Sequence, residues 1–344
     1  MTSRRVAVIL FNLGGPDKPE AVRPFLFNLF NDEAIIGLPQ PFRFLLAQLI
    51  SRSREKLAKA NYALMGGGSP ILPETQKQAD ALEAAISKRV SNVTFKCFPA
   101  MRHWRPLVKD AAKAAEAWGA TDALLLPLYP QFSTTTTASA LRAWAKASRL
   151  PASTICCYPT GVQFARAHAD AILKTWRDAG SPPSPRLLFS AHGLPQRVID
   201  RGDPYQWQIE QSVAAVRKAL PSEWDSRICY QSRVGPLRWL GPSTEEEIHR
   251  AGLDKVGVLL SPIAFVSEHV ETLVELDIEY AQLARRLNLP FYLRAPALGA
   301  TPRFIDALSE LAERALDAPG KVQSESGARL CPAAFNLCAQ GKAR

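Results

Sequence analysis

Five carboxylates and a histidine lie within the stretch Ser261 to Tyr280, which reads SPIAFVSEHVETLVELDIEY. Glu268, Glu271, Glu275 and Glu279 follow one another at spacings of three, four and four, with His269 among them. On a helix those spacings stack side chains on one face. Stacked like charges cost roughly 0.2–0.5 kcal/mol per pair, and the helix dipole offsets only the first turn. An acidic run is ordinarily a solvated helix face. Here a β-rich apolar run aims the start of the helix and an imidazole sits among the acids. That combination suits a divalent cation or protons leaving a substrate.

A second constellation is Phe189-Ser190-Ala191-His192-Gly193-Leu194-Pro195, which closes a predicted strand. Sites in parallel sheets are built beyond the carboxyl ends of strands. Imidazole there can take a proton near neutral pH or bind a metal through its neutral nitrogen. Gln231-Ser232-Arg233 and Trp239-Leu240-Gly241-Pro242 follow the next predicted strand, and Arg102-His103-Trp104 ends an earlier one. His168 and His249 fall in helical patterns and read as structural or exposed. No His-x-x-x-His, Cys-x-x-Cys or Gly-x-Ser-x-Gly occurs, so a conventional zinc site and a hydrolase triad lack support.

These residues need a scaffold, and the pattern supplies one. Short apolar runs at Val6–Asn12, Val93–Phe98, Ala123–Leu128 and Thr154–Tyr158 precede a linker-like GSPPSP run, Gly180–Pro185. Four more follow at Arg186–Ser190, Arg227–Gln231, Lys255–Leu260 and Pro290–Arg294. Helical segments alternate with them, at Thr75–Arg89, Pro106–Trp118, Val162–Asp178, Pro204–Leu220 and Glu268–Leu287. Near-continuous apolar strands alternating with helices predict an α/β protein with parallel sheets covered on both faces. Two such domains with a cleft between them are the economical arrangement, divided as 1–180, 181–316 and a tail over 317–344.

At 344 residues the chain can bury a large core, and 47% hydrophobic with 22% charged residues is ordinary soluble composition. No apolar run approaches the roughly 20 residues that span a bilayer, and VAVILFNL meets Gly-Gly-Pro too soon for a signal peptide. A cytoplasmic protein is the expectation. The net charge of +10 admits nucleic acid, an anionic membrane or an acidic small molecule. The aromatic residues do not alternate with lysines as a nucleic-acid stacking platform requires. Arg43, Arg52, Arg54, Lys56 and Lys59 instead flank the apolar Phe42–Ile50, so residues about 35–60 read as a lip that greets a hydrophobic substrate or lies on a membrane surface. Asn12-Leu13-Gly14-Gly15-Pro16 lacks the dinucleotide spacing, which excludes a nucleotide cofactor there. Gly66-Gly67-Gly68-Ser69-Pro70 is either a tight turn before a helix or a backbone cradle for a carboxylate.

Taken together, NLGGPD, GGGSP, LYPQFS, FSAHGLP, RGDPY, QSRVGPLRWLGP and the Ser261–Tyr280 run resemble the ferrochelatase family through almost the whole chain and in its order. The resemblance implies two Rossmann-like, chelatase-type domains, each a parallel four-stranded sheet flanked by helices, with a porphyrin cleft between them. It implies insertion of Fe²⁺ into protoporphyrin IX with release of two protons, as a monomer or a homodimer. It makes His192 the proton acceptor or metal ligand and Glu271 the acid facing it across the porphyrin. His269 lies beside Glu271, and Glu275 and Glu279 continue an acidic path for metal or protons. Glu268 is the acid most easily dispensed with. Tyr62, Ser69, Arg102, Tyr129, Trp239, Phe265 and Leu13 match porphyrin-pocket positions, while His103 stands where many relatives have tyrosine. Rival readings are a chelatase for coproporphyrin or a cobalt-accepting tetrapyrrole, and a non-catalytic tetrapyrrole or iron carrier.

Some members of that family hold a [2Fe–2S] cluster on four cysteines. The animal-type internal cysteine is replaced here by Thr134, yet Cys331 and Cys338 stand in the tail and Cys156-Cys157 close the first half. These four are the implied cluster ligands, although adjacent residues in a strand point to opposite faces. Cys97 and Cys229 read as core.

Overall fold

A computed structural model describes residues 4–341 apart from 234, 236, 317 and 319, so Val234 and Pro236 of the QSRVGPLRWLGP run, and the ends of the 1–180 and 317–344 divisions, lie outside the described residues. In chain order the strands are β1 (Arg4–Asn12), β2 (Val93–Met101), β3 (Asp122–Pro127), β4 (Ala152–Cys157), β5 (Arg186–His192), β6 (Ser226–Gln231), β7 (Val258–Pro262), β8 (Tyr292–Arg294) and β9 (Val322–Ser324). They form two sheets, ordered β2-β1-β3-β4-β9 and β6-β5-β7-β8, with every described pairing parallel.

The expectation of four strands per sheet holds for the second sheet and is corrected for the first. The fifth strand comes from the tail, where Val322 and Gln323 pair with Thr154 and Ile155. Only three residues make this strand, and the open edge of β4 supplies the pairing that a short polar run cannot announce.

Strand β1 shows why the sheets are buried on both faces. Val6, Val8 and Leu10 pack with Ala79, Leu82 and Ile86 of the helix Ile71–Arg89 and with Phe304, Leu308 and Leu311 of the helix Pro302–Leu316. The alternating residues Ala7, Ile9 and Phe11 point the other way, onto Ala111, Ala112 and Ala115 of the helix Val108–Ala117 and Trp144 of the helix Thr137–Ala147. In the second sheet Leu187, Phe189 and Ala191 pack with Ile209, Val213 and Val216 of the helix Tyr205–Arg217. Leu188 packs oppositely, with Ile248, Ala251, Leu276 and Tyr280. One helix serves both cores. Along Val162–Asp178, Phe164 and Ala167 face the first core while Ala165, Ala169 and Ile172 face the second.

The apolar stretch Phe42–Ile50 opens the helix Phe42–Ala63, and its large apolar side chains on one face stay exposed. Phe42, Leu45 and Leu49 are 63, 62 and 65% exposed. Among the described residues no helix is long and apolar enough to cross a membrane. The second sheet leaves its strand ends pointing toward the same cleft as those of the first, and there the site is built.

Replacing fully buried Leu308 by alanine should lower the unfolding free energy by about 2–5 kcal/mol, because a cavity opens where two helices meet the first sheet. A urea titration that moves less than its own error would contradict this packing.

Candidate active site

Strand β5 ends at His192, and the adjacent β7 runs into a loop that reaches the helical turn Val270–Leu273. These two strand ends place His192 Nδ1 2.9 Å from Glu271 Oε2. His269 Nε2 lies 3.7 Å from the same oxygen, while its Nδ1 lies 3.1 Å from the Ser267 carbonyl. The Phe265 ring packs edge-on to both imidazoles, at 6.3 Å from His192 and 4.7 Å from His269. Backbone atoms are held as firmly: Tyr205 Oη donates to the His192 carbonyl at 3.0 Å, and Gln231 Nε2 donates to the Glu271 carbonyl at 2.8 Å.

The electrostatics follow from that contact. Burial alone would depress the His192 pKa, but the charge and hydrogen bond of Glu271, with Glu275 behind it, outweigh burial and raise it. Burial works to raise Glu271, yet His192 and then His269 hold its carboxyl far below the usual range. The result is a strengthened base backed by a permanent carboxylate.

This geometry corrects one expectation. Glu271 does not face His192 across a porphyrin, because no planar ring fits between two atoms in hydrogen-bond contact. Both follow strands of the second sheet and form one wall.

The acidic ladder is also rearranged. The expected continuous helix over 268–287 is divided into an α-helical turn Val270–Leu273, a π-helical segment Glu275–Tyr280 and an α-helix Ala281–Arg286. The Val274 carbonyl accepts from both Ile278 N and Glu279 N, at 3.1 and 3.0 Å, which marks the wider turn. His269 is extended, with φ −163°, so Glu268 precedes the helix and leaves the ladder. Its carboxylate accepts from Arg294 Nη1 at 2.6 Å and Ala297 N at 2.8 Å, and Arg294 also pairs with Asp277. Glu268 is therefore a half-buried structural anchor that stands outside the ladder.

Glu275 accepts from Ser232 N, Ser232 Oγ and Tyr280 Oη at 2.8, 2.6 and 2.7 Å, with Gln231 Nε2 at 3.3 Å. Ser232 adopts φ +62°, a left-handed conformation that aims both its donors at one carboxylate. Glu279 is exposed, and burial, then repulsion from Glu275 and Glu245, raises its pKa. The three glutamates thus run from the half-buried Glu271 to the surface. The sequence marked the Gln231-Ser232 strand end but gave no sign that it would grip Glu275. Tyr280, which completes that grip, went unmarked because it reads as an ordinary apolar helix position.

A cavity of about 160 Å³ at His192, His269 and Glu271 is lined by residues that follow strands of both sheets. Leu13, Tyr129 and Phe265 line it, as do His103 and Gln131. Pockets for drug-sized ligands hold about 300–1,000 Å³, and this cavity is smaller. Four expected pocket residues do not line the cavity. Tyr62 packs in an apolar cluster with Val22, Phe25 and Leu26. Arg102 is engaged by Asp32 at 2.8 Å and by Ser139 Oγ at 2.6 Å. Ser69 turns the glycine loop, with its N donating to the Pro16 carbonyl at 2.7 Å and its Oγ accepting from Ile71 N at 3.3 Å. A Cβ on Gly15 would stand 2.5 Å from that serine's, so only glycine fits there. Trp239 packs beside Gly193, next to His192, and its buried indole Nε1 has no partner among the described residues. His103 is buried with its Nδ1 unpaired, and burial lowers its pKa to about 3, so it is a neutral wall residue.

The four candidate cysteines converge, although far apart in sequence. Cys156 and Cys157 overcome the alternation of a strand through a register shift where β4 meets β9, and their Sγ atoms lie 3.4 Å apart. Cys331 and Cys338, both free thiols, hydrogen-bond to each other, a contact that lowers the Cys338 pKa and raises that of Cys331, and Cys331 lies close enough to feel Cys156. All four are buried. They stand as two pairs, and among the described residues no three His, Cys, Asp or Glu are grouped to hold a metal ion. Cys97 and Cys229 lie in β2 and β6, in the apolar cores, as expected.

A family model described as Ferrochelatase matches residues 5–316. The chain is 58% identical over 337 residues to the ferrochelatase of Phenylobacterium zucineum, covering 97% of this chain and 98% of that one. It is 56% identical over 339 residues to the ferrochelatase of Caulobacter vibrioides, covering 98% and 97%. Among solved structures, SirB from Bacillus subtilis with Fe³⁺ aligns with TM-score 0.51 at 12% identity, over 91% of this chain and 95% of that one. CbiX, the terminal enzyme of siroheme biosynthesis in denitrifying bacteria, aligns with TM-score 0.50 at 13% identity, over 92% and 99%. At those identities the two structures speak for the fold.

His192 should titrate above the ordinary histidine value of 6.5, and Glu271→Gln should bring its midpoint down. Because its pKa is raised in the folded state, the pair contributes stability fully below pH 6.5 and loses it as pH rises through the folded value. NMR titration of the imidazole resonances checks this, and equal midpoints in the two proteins would contradict it.

Proposed function

The chain belongs to the ferrochelatase family, enzymes that insert ferrous iron into a porphyrin to make haem, and we propose that the His192–Glu271 pair performs that insertion here. The observation that carries this reading is their 2.9 Å contact at the mouth of two strand ends, beside a cavity shared by both domains. The substrate is protoporphyrin IX, which must lose two pyrrole protons as Fe²⁺ enters. His192 in its neutral form takes a pyrrole proton, and Glu271, kept ionised, stabilises the imidazolium that results. Imidazole and carboxylate donors suit ferrous iron, so His192, Glu271 and His269 also receive the metal as it sheds water. Glu275 and Glu279 continue toward solvent as a route for metal or protons. Glu279, whose pKa is raised, is the member best able to hold a proton on the way.

Leu13, Tyr129 and Phe265 serve as contacts for the macrocycle, supported by their place on the cavity wall. Tyr62, Ser69, Arg102 and Trp239 take part after the cleft widens, with the guanidinium and the glycine loop suited to the propionates. His192→Ala should nearly abolish metallation, read as the loss of porphyrin fluorescence on adding Fe²⁺ or Zn²⁺, while porphyrin still binds. Near-normal turnover in that variant would remove His192 from the mechanism.

The cysteine quartet supports a [2Fe–2S] cluster as a resident group. Two thiol pairs match a two-iron centre better than a single ion, and such a centre would take them as thiolates. When bound, such a group supplies one-electron chemistry and a cross-link between the tail and β4. Anaerobically purified protein should be reddish and contain iron and acid-labile sulfide, with both lost in Cys157→Ser and kept in Cys97→Ser. Colourless wild-type protein would refute the assignment.

The uncovered Phe42, Leu45 and Leu49, flanked by Arg43, Arg52 and Arg54, support peripheral contact with an anionic membrane surface. Wild-type protein should float with phosphatidylglycerol vesicles, and a variant with serine at these three apolar positions should not. Equal flotation would dismiss the lip as a membrane contact.

A further inference from the structure

His103 follows β2 of the first sheet, and its ring lines the same cavity as His192 and Glu271. Its main chain is fixed on both sides. The N–H donates to the Leu13 carbonyl at 3.0 Å, and the carbonyl accepts from Asn28 Nδ2 at 3.0 Å. The side chain is 2% exposed, and its Nε2 lies 3.9 Å from Asp32 Oδ2. That carboxylate is itself held, by Arg102 at 2.8 Å and by Ser139 Oγ at 2.6 Å. A negative charge beside Nε2 keeps the proton of the neutral ring on that nitrogen and leaves Nδ1 a bare acceptor. Nδ1 is buried and finds no partner among the described residues. Such an orphaned buried polar atom is rare and calls for a partner from outside the chain. The cavity that the ring lines is where one can come from.

We infer that His103 Nδ1 accepts a hydrogen bond from a pyrrole N–H of the free-base macrocycle, and so favours the metal-free substrate over the metallated product. This rests on the porphyrin reading above. A free-base porphyrin carries two N–H groups and its metal complex carries none. The contact is therefore made before insertion and lost on it, when Nδ1 is left unpaired again beside the product. His103 and His192 divide the work between the two sheets. His192, with a raised pKa, takes a proton outright. Burial, then the charge of Arg102, lowers the His103 pKa to about 3, so at neutral pH it accepts a hydrogen bond and keeps no proton. Asp32, which sets the tautomer, acts only through His103.

Soret absorbance titrations of wild type and His103→Phe with two ligands test this. One is free-base protoporphyrin, and the other is nickel protoporphyrin, which has no N–H and little affinity for a fifth ligand. His103→Phe should bind the free base roughly three- to tenfold more weakly, the worth of about one hydrogen bond, and bind the nickel complex as wild type does. The nickel complex also reports whether the variant keeps its cleft. If the phenylalanine variant does not fold, His103→Leu is read the same way. Equal weakening toward both ligands would make His103 a packing residue and overturn the inference. So would unchanged free-base affinity in a folded variant. Wild-type protein that binds neither ligand would overturn the porphyrin reading itself, and this inference with it.

Discussion

The hydrogen bond from His192 to Glu271 is the constraint around which the second sheet is arranged. It exists only if β5 and β7 are neighbours, end at the same level and send the chain back over their own carboxyl ends. The parallel pairing of β5 with β7, from Arg186 opposite Val258 to Ser190 opposite Pro262, sets that level. Burying an ion pair is worthwhile only when the remaining donors and acceptors are satisfied. Here the Tyr205 hydroxyl and the Gln231 amide meet the backbone carbonyls of the two partners.

The π-helical segment follows from the same demand. An unbroken α-helix from Glu268 would repel itself along one face and carry Glu268 away from Arg294. Starting the helix only after the extended His269 lets Glu268 anchor to Arg294 and Ala297, and the wider turn from Glu275 accompanies the reach of Glu275 to Ser232 and Tyr280. Leu276 and Tyr280 stay buried against the second core through the wider turn, so the deviation costs little apolar packing.

Most strands were legible because doubly covered strands leave long apolar runs such as VAVILF, and the strand-end motifs around His192 and Gln231 announced a site. Other features depend on partners distant in sequence. The QS pair and Glu275 are 43 residues apart at their closest contact. Strand β9 is a polar tripeptide shaped by the edge it joins, and the contact between Cys156 and Cys157 needs the register shift that this joining brings. Spacing showed that Glu271 and His192 could meet a substrate, and resemblance suggested opposite sides. Only the fold determines that they share a wall.

The return of the chain to its first domain has a consequence for biosynthesis. The helix Pro302–Leu316 covers one face of the first sheet and β9 closes its edge, yet both are made after the last strand of the second sheet. On a ribosome, the β1 to β4 layer therefore waits with Val6, Val8 and Leu10 partly uncovered and one strand edge unpaired while well over a hundred further residues are added. The two halves cannot mature one after the other. The N-terminal half emerges first and is completed last, which makes the nascent chain, rather than the finished enzyme, the state most exposed to misassembly and most in need of a chaperone.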